Sequence, residues 1–305
     1  MKGSDVRMTD PKTFFEQLGC EVREQEPMAR HTTFKIGGPA DLFVVASTAV
    51  QVREIITRFG DGSVPLLKIG NGSNLLVSDH GYRGIVLMLA GREVDPIIED
   101  GLVICPAGVS LQRLCRFAQK SGLSGLEFAY GIPGAVGGGV YMNAGAYGGQ
   151  MSDVIEWAEA VAPDGAVVRV SAADMKMAYR HSVFMERDMT ITSAAFRLTP
   201  GDMPQITAAM DDVMLRRREK QPLEFPSAGS FFKRPPDNFA GALIENAGLK
   251  GYSVGGAQVS EKHAGFIINR HNATCEDVRR LADEVTETVL KNYSIMLESE
   301  VKYIG

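Results

Sequence analysis

The chain has 305 residues, enough for two domains or one large one, and its 45% apolar and 23% charged content can build a full core. That balance excludes disorder and disulfide-dependent miniproteins, and a net charge of −5 argues against a general nucleic-acid binder, which must neutralise phosphates. No apolar run approaches the roughly 20 residues of a bilayer span. The opening residues 1–11 lack a signal-peptide core, and four cysteines without CxxC spacing fit reduced thiols in a cytoplasm. Five histidines without HxxxH or His/Cys clustering offer no metal-binding pattern.

In chain order, Thr13-Phe14-Phe15-Glu16 reads as a capping box opening a first helix that Gly19 ends. A strand is expected over 40–45. A helix over 47–59 follows, with Val52, Ile55, Ile56 and Phe59 at helical spacing and Gly60 as its stop. Short apolar runs at 64–69, 75–77, 85–89 and 102–105 read as strands. Ser110 caps a helix whose Leu111, Leu114, Cys115 and Ala118 share a face, and Gly122 ends it. From Tyr130 to Gln150 the pattern dissolves into glycine. Beyond it, 154–162, 167–170 and 190–198 alternate like antiparallel strands, with Pro163-Asp164-Gly165 as a turn. After Pro200-Gly201-Asp202 a helix over 204–220 turns Ile206, Met210 and Val213 inward. A last long helix opens at Thr274, and 301–303 looks like a final strand. Strands and helices mix without strict βαβ repetition, so the fold class expected is α+β. The divisions expected are an N-terminal helical segment 1–30, a domain 31–199 and a domain 200–305.

Among the 33 glycines, two glycine-rich loops stand out. The first, Gly70-Asn71-Gly72-Ser73-Asn74 before Leu75, follows an apolar strand, where consecutive amides can form an anion-binding nest. It reads either as that nest or as an ordinary tight turn. It is neither a Rossmann fingerprint, because a strand follows it, nor a Walker loop, because no Gly-Lys-Ser/Thr is present. The second runs Gly131-Ile132-Pro133-Gly134-Ala135-Val136-Gly137-Gly138-Gly139 and resumes at Asn143-Ala144-Gly145-Ala146. So dense a set forgoes side-chain packing, and backbone lying against a large flat or phosphorylated ligand accounts for its density and extent.

Thr32-Thr33-Phe34-Lys35-Ile36-Gly37-Gly38, Gly70–Leu76, Gly131–Gly148, Tyr179-Arg180-His181-Ser182 and Ser227-Ala228-Gly229-Ser230-Phe231-Phe232-Lys233 occur in that order. With Gly255–Ser260, Gly265–Asn269 and Glu298-Ser299-Glu300, this string covers nearly the whole chain and resembles the UDP-N-acetylenolpyruvoylglucosamine reductase family. The resemblance implies an FAD-binding fold of the vanillyl-alcohol-oxidase (PCMH) type with a C-terminal substrate domain. It implies noncovalent FAD and NADPH as co-substrate. Gly70, Asn71, Gly72, Ser73, Asn74 and Leu75 would wrap the pyrophosphate. Gly131, Ile132, Pro133, Gly134, Gly138, Asn143, Gly145 and Ala146 would lie along the flavin and diphosphate.

Reducing an enol ether conjugated to a carboxylate requires a hydride at the β-carbon, stabilisation of the enolate and a proton at the α-carbon. By resemblance, Arg180 binds the carboxylate as a permanently charged fork, Ser230 donates the proton and Glu300 assists the enol intermediate. Taken alone, Arg180 reads as a surface cation, Ser230 as a turn residue, and Glu298 and Glu300 as one solvated strand face. A hydroxyl is a weak acid, so Ser230 needs a strongly basic acceptor or a cationic neighbour such as Lys233. Tyr179, Arg216, Lys220, Lys233, Arg234 and Gln258 are expected at the UDP-sugar, although cations at a helix C-terminus also serve its dipole. The 50 positions from Arg180 to Ser230, and Arg234-Pro235 where one branch has Asn-Pro, match the shorter subtype without a tyrosine-bearing lid. Two alternatives stand beside the reductase: a flavin oxidase of small alcohols or sugars, and a silent nucleotide-binding module.

Overall fold

The computed structural model describes residues 10–91 and 94–305. Its first layer is a four-stranded sheet in the order β1-β2-β5-β3, built from β1 (Glu21–Pro27), β2 (Pro39–Ala46), β3 (Leu66–Ile69) and β5 (Tyr82–Leu89). The short β4 (Leu75–Val77) stands apart from it. β1 runs antiparallel to β2, whereas β2 and β3 are both parallel to β5. This local parallel unit comes from α2 (Ala49–Phe59), which returns the chain across the sheet between β2 and β3. Alternation along the strands divides two cores: Val44, Ile85 and Leu87 pack with Val52, Ile55, Ile56 and Phe59 of α2, while Phe43, Val45 and Val86 pack with Met28 and Val77 on the other face.

Residues 21–27, expected within a helical segment, are thus an edge strand. The first helix, α1 (Pro11–Gln17), starts earlier than the Thr13 box implied. Asp10 is its cap, accepting from the Thr13 amide at 3.4 Å, and Pro11 sits at the first helical position, where its missing N–H costs nothing. The polar opening 1–9 lies outside the described residues.

The second layer is a five-stranded antiparallel sheet of β6 (Ile97–Glu99), β7 (Leu102–Pro106), β8 (Ile155–Val161), β9 (Val167–Ser171) and β10 (Thr190–Phe196), ordered β9-β8-β10-β7-β6. α3 (Leu111–Lys120) starts at the Ser110 cap and packs on it with the inward face expected. So does α4 (Val136–Tyr141), a short helix in the stretch read as glycine loop. Its glycines allow close packing: a Cβ at Gly137 would stand 2.9 Å from Ala107 Cβ. Phe184 and Phe196, both fully buried in this core, contribute roughly 1.5–3 kcal/mol each.

α5 (Val183–Glu186) is a single turn within the second layer. α6 (Met203–Lys220) begins beyond residue 200 but buries Ile206 and Met210 in the second layer's core, so physically it belongs there. The chain crosses to the third layer after Gln221. There β11 (Ser227–Ser230), β12 (Ser253–Val254), β13 (Ala257–Val259) and β14 (Phe266–Asn269) form an antiparallel sheet ordered β11-β14-β13-β12. It is backed by α7 (Ala240–Asn246) and α8 (Cys275–Tyr293), with Val278, Leu281, Val285 and Val289 inward. The last strand, β15 (Lys302–Ile304), returns to pair in parallel with β4, and Phe34, Ile36 and Leu76 join the third core. The third layer is thereby stitched to the first loop. No helix among the described residues is long and apolar enough to cross a membrane.

Candidate active site

The three layers meet around a cavity of about 920 Å³, at the upper end of the range for small-molecule and cofactor sites. Its floor is backbone. Gly70 to Leu75, joining β3 to β4, line one side, and Ile132 to Ala135 with Gly137, Gly138 and Gly139 of α4 line the other. Gly72 has φ 59°, and a Cβ there would stand 2.0 Å from the His31 carbonyl oxygen, while its own carbonyl accepts from the Thr33 amide at 3.2 Å. Only glycine permits that approach. Gly138 differs: a Cβ there would meet nothing within 4 Å and would stand in the cavity. Gly138 therefore keeps space open for something other than protein, whereas Gly137 and Gly139 serve packing against Ala107 and Leu111.

Several residues lining that space carry buried polar atoms without partners. Thr190 Oγ1, Arg217 Nε and Gln221 Oε1 are buried with no hydrogen bond, and all three residues line the cavity. Burial pushes the Arg217 pKa below its ordinary value. A buried donor left unpaired costs about 1–3 kcal/mol, which a polar ligand would recover. Arg217 can donate, Gln221 Oε1 can accept and the Thr190 hydroxyl can do either, so a large ligand carrying anionic or carbonyl oxygens and N–H groups fits this set, and FAD is of that kind. Arg217 reaches the site by passing Gly131, whose Cβ would lie 2.9 Å from Arg217 Cδ and 2.6 Å from Met214 Sδ. Gly131 is therefore a packing partner of α6 and does not itself line the cavity. The sequence reading missed Arg217, Gln221 and Thr190.

Arg180, Ser230 and Glu300 arrive from separate elements and all line the cavity. Arg180 lies in the turn Ala178-Tyr179-Arg180-His181, closed by Ala178 N to His181 O at 3.2 Å and His181 N to Ala178 O at 3.1 Å, with φ 56° at Arg180. Its Nε donates to Glu300 Oε1 at 2.5 Å. The Tyr179 hydroxyl donates to Glu300 Oε2 at 3.4 Å and accepts from the Arg234 amide at 3.3 Å. Ser230 ends β11. Beyond it the chain runs antiparallel to 298–300, with Glu300 N donating to Phe231 O at 2.8 Å and Lys233 N to Glu298 O at 2.8 Å. That pairing brings Ser230 and Glu300 to the same rim.

Several of the expected residues do not line the cavity. Glu298 and Glu300 have different surroundings. The Glu300 side chain is 12% exposed beside Arg180, whereas that of Glu298 is 72% exposed and pairs with Lys233 at 2.9 Å. Lys233 is thus committed to Glu298. Arg216 pairs with Asp212 on the surface, and Arg234 stacks over Phe239. Gln258 donates to Gly251 O and Ser253 Oγ inside its own sheet. Asn143 is buried as an internal brace and does not line the cavity. Lys220, Gly145 and Ala146 do line it.

The sequence families matched are the FAD binding domain, over residues 40–171, and the UDP-N-acetylenolpyruvoylglucosamine reductase C-terminal domain, over 221–304. A UDP-N-acetylenolpyruvoylglucosamine reductase of Agathobacter rectalis is 46% identical over 313 residues, covering 98% of this chain and 99% of its own length. Its counterpart in Heliobacterium modesticaldum is 45% identical over 283 residues, covering 92% and 90%. The crystal structure of the enzyme from Thermus caldophilus superposes with a TM-score of 0.81 at 34% identity, covering 94% of this chain and 100% of that one. With a glycine-floored cavity where the FAD-binding half meets the C-terminal half, and relatives this similar over nearly its whole length, the chain belongs to the UDP-N-acetylenolpyruvoylglucosamine reductase family.

Proposed function

We propose that this protein is an FAD-dependent, NADPH-consuming reductase of UDP-N-acetylglucosamine enolpyruvate, forming UDP-N-acetylmuramate for peptidoglycan in the cytoplasm. The observation that carries the reading is the convergence of Arg180, Ser230 and Glu300 on one cavity floored by both glycine loops. A binding module has no use for that trio, and an oxidase has none for a proton donor at Ser230.

The loops at 70–75 and 132–139 would hold the dinucleotide with backbone, and Arg217 and Lys220 would meet its anionic groups or those of the sugar nucleotide. FAD, when bound, supplies hydride transfer from NADPH to the enolpyruvyl double bond. Arg180 binds the substrate carboxylate through two N–H groups and orients the double bond. As negative charge builds toward that carboxylate, the fixed guanidinium stabilises it without reorganising. Ser230 delivers its hydroxyl proton to the α-carbon. Because Lys233 is held by Glu298, the acidity Ser230 needs comes from the basicity of the enolate itself. Glu300, tied to Arg180, holds that guanidinium in line and would assist the enol intermediate.

Ser230→Ala tests the reading. Flavin reduction by NADPH stays near wild type, and reoxidation by the enolpyruvyl substrate slows by about 10²–10⁴-fold in stopped-flow absorbance. An unchanged reoxidation rate removes Ser230 from the reaction.

A further inference from the structure

Arg180 sits on an exposed turn, an unpromising place to hold a guanidinium to a fraction of an ångström. Ala178 and Tyr179 are exposed, and Arg180 occupies the left-handed region that glycine favours. Such a turn frays unless something buried holds it. Asn143, 3% exposed, is that anchor. Its Nδ2 donates to the Ala178 carbonyl at 3.2 Å and to Gln150 Oε1 at 3.3 Å, while its Oδ1 accepts from the Ser152 amide at 3.0 Å. The Ala178 carbonyl is the one that closes the turn by accepting from His181 N. A second tie runs from Ser182 Oγ, fully buried, to the Tyr141 carbonyl at 2.7 Å, at the end of α4. The first glycine loop treats the other half of the ion pair alike: Asn74 Nδ2 donates to the Glu300 carbonyl at 3.0 Å.

We propose that Asn143 is a positioning residue: it fastens the turn carrying Arg180 to the glycine-rich ribbon that would hold the flavin, and so fixes the guanidinium relative to the cofactor. This rests on the reductase reading and assigns Asn143 a role in the carboxylate subsite in place of direct contact with the cofactor. The amide suits the task chemically. It donates to one carbonyl while accepting from one amide, and asparagine tolerates its own φ of 43°.

The test uses the holoenzyme with Asn143→Asp, which keeps the acceptor for Ser152 and loses the donor to Ala178. Asn143→Gly keeps the left-handed backbone without either bond and carries the test if the aspartate variant does not fold. Flavin content and reduction by NADPH stay within twofold of wild type, and substrate-driven reoxidation falls about 10–100-fold, the scale of a misplaced group. Titrating flavin absorbance, affinity for UDP-N-acetylmuramate, which carries the carboxylate, falls about 10-fold. Affinity for UDP-N-acetylglucosamine, which lacks it, stays within twofold. Equal losses for both nucleotides, or wild-type reoxidation, overturn the proposal. A wild-type enzyme that the enolpyruvyl substrate does not reoxidise overturns the reductase reading instead.

Discussion

Gly138→Ala should move the empty and the loaded protein in opposite directions. Gly138 lies inside α4 with an ordinary backbone, and its added methyl would meet no atom within 4 Å. Within the fold the change therefore carries no clash, and replacing glycine by alanine in a helix stabilises by about 0.4–1 kcal/mol. For a chain of 305 residues, flavin-free protein should then melt about 0.6–1.6 °C higher. The methyl nevertheless enters the cavity floored by the two glycine loops, where a flat ligand against the backbone has no room for it. Overpacking a fitted site costs about 1–3 kcal/mol, a 5- to 150-fold loss of FAD affinity. The assay pairs thermal melts of flavin-stripped protein with fluorescence titration of FAD into wild type and variant. A stabilised apoprotein that binds FAD with unchanged affinity would refute the reasoning, because the ligand would then not lie against α4.

Arg217→Met keeps the packing past Gly131 and removes the buried cation, so ligand affinity, flavin or sugar nucleotide, should fall about tenfold while flavin-free stability holds or rises. Wild-type affinities for both ligands in titration would leave Arg217 without a ligand role. All four cysteines are buried, and burial pushes the Cys115 and Cys275 thiols up to about 12. A disulfide exchange reagent at pH 8 should therefore titrate four thiols only after denaturation; rapid reaction of the native protein contradicts this packing. Burial holds the His263 pKa below its ordinary 6.5, so the unfolded chain binds the extra proton first. The stability of the neutral ring is full above about pH 6.5 and declines as pH falls through that value. Denaturant midpoints between pH 7 and pH 5 should drop more for wild type than for His263→Gln, and parallel curves would refute it.

Elements with complete local signals were legible. α2, α3 and α8 each begin on the hydroxyl-bearing residue that accepts from the third amide, at Thr48, Ser110 and Thr274, and each shows its apolar stripe. The start of α1 was placed too late because Asp10 and Pro11 together outweigh a Thr-x-x-Glu pattern lying three residues further on. α4 could not be read from propensity at all. Three of its six residues are glycine, and what makes it helical is contact with 107–109: Val136 N donates to Val109 O, and Gly137 N to Ala107 O, both at 2.8 Å.

In the site, what backbone does was legible and what long side chains do was not. Glycine density marks a surface where side chains are excluded, whatever the fold, so both loops announced themselves. A cation's role depends on which neighbour claims it. Lys233 and Arg216 are claimed by Glu298 and Asp212, a matter of packing decided far from their own sequence neighbours or, for Asp212, one helical turn away. Arg217 did leave a signal. Ile206, Met210 and Val213 define the inward stripe of α6, and the next position of that 4-3-4 progression is 217, not 216 or 218. A charged residue continuing an apolar stripe at the end of a helix has to meet either a buried partner or a ligand. Arg217 lines the cavity and its buried Nε has no partner, so here the stripe's phase alone separates the cavity-lining arginine from two exposed neighbours.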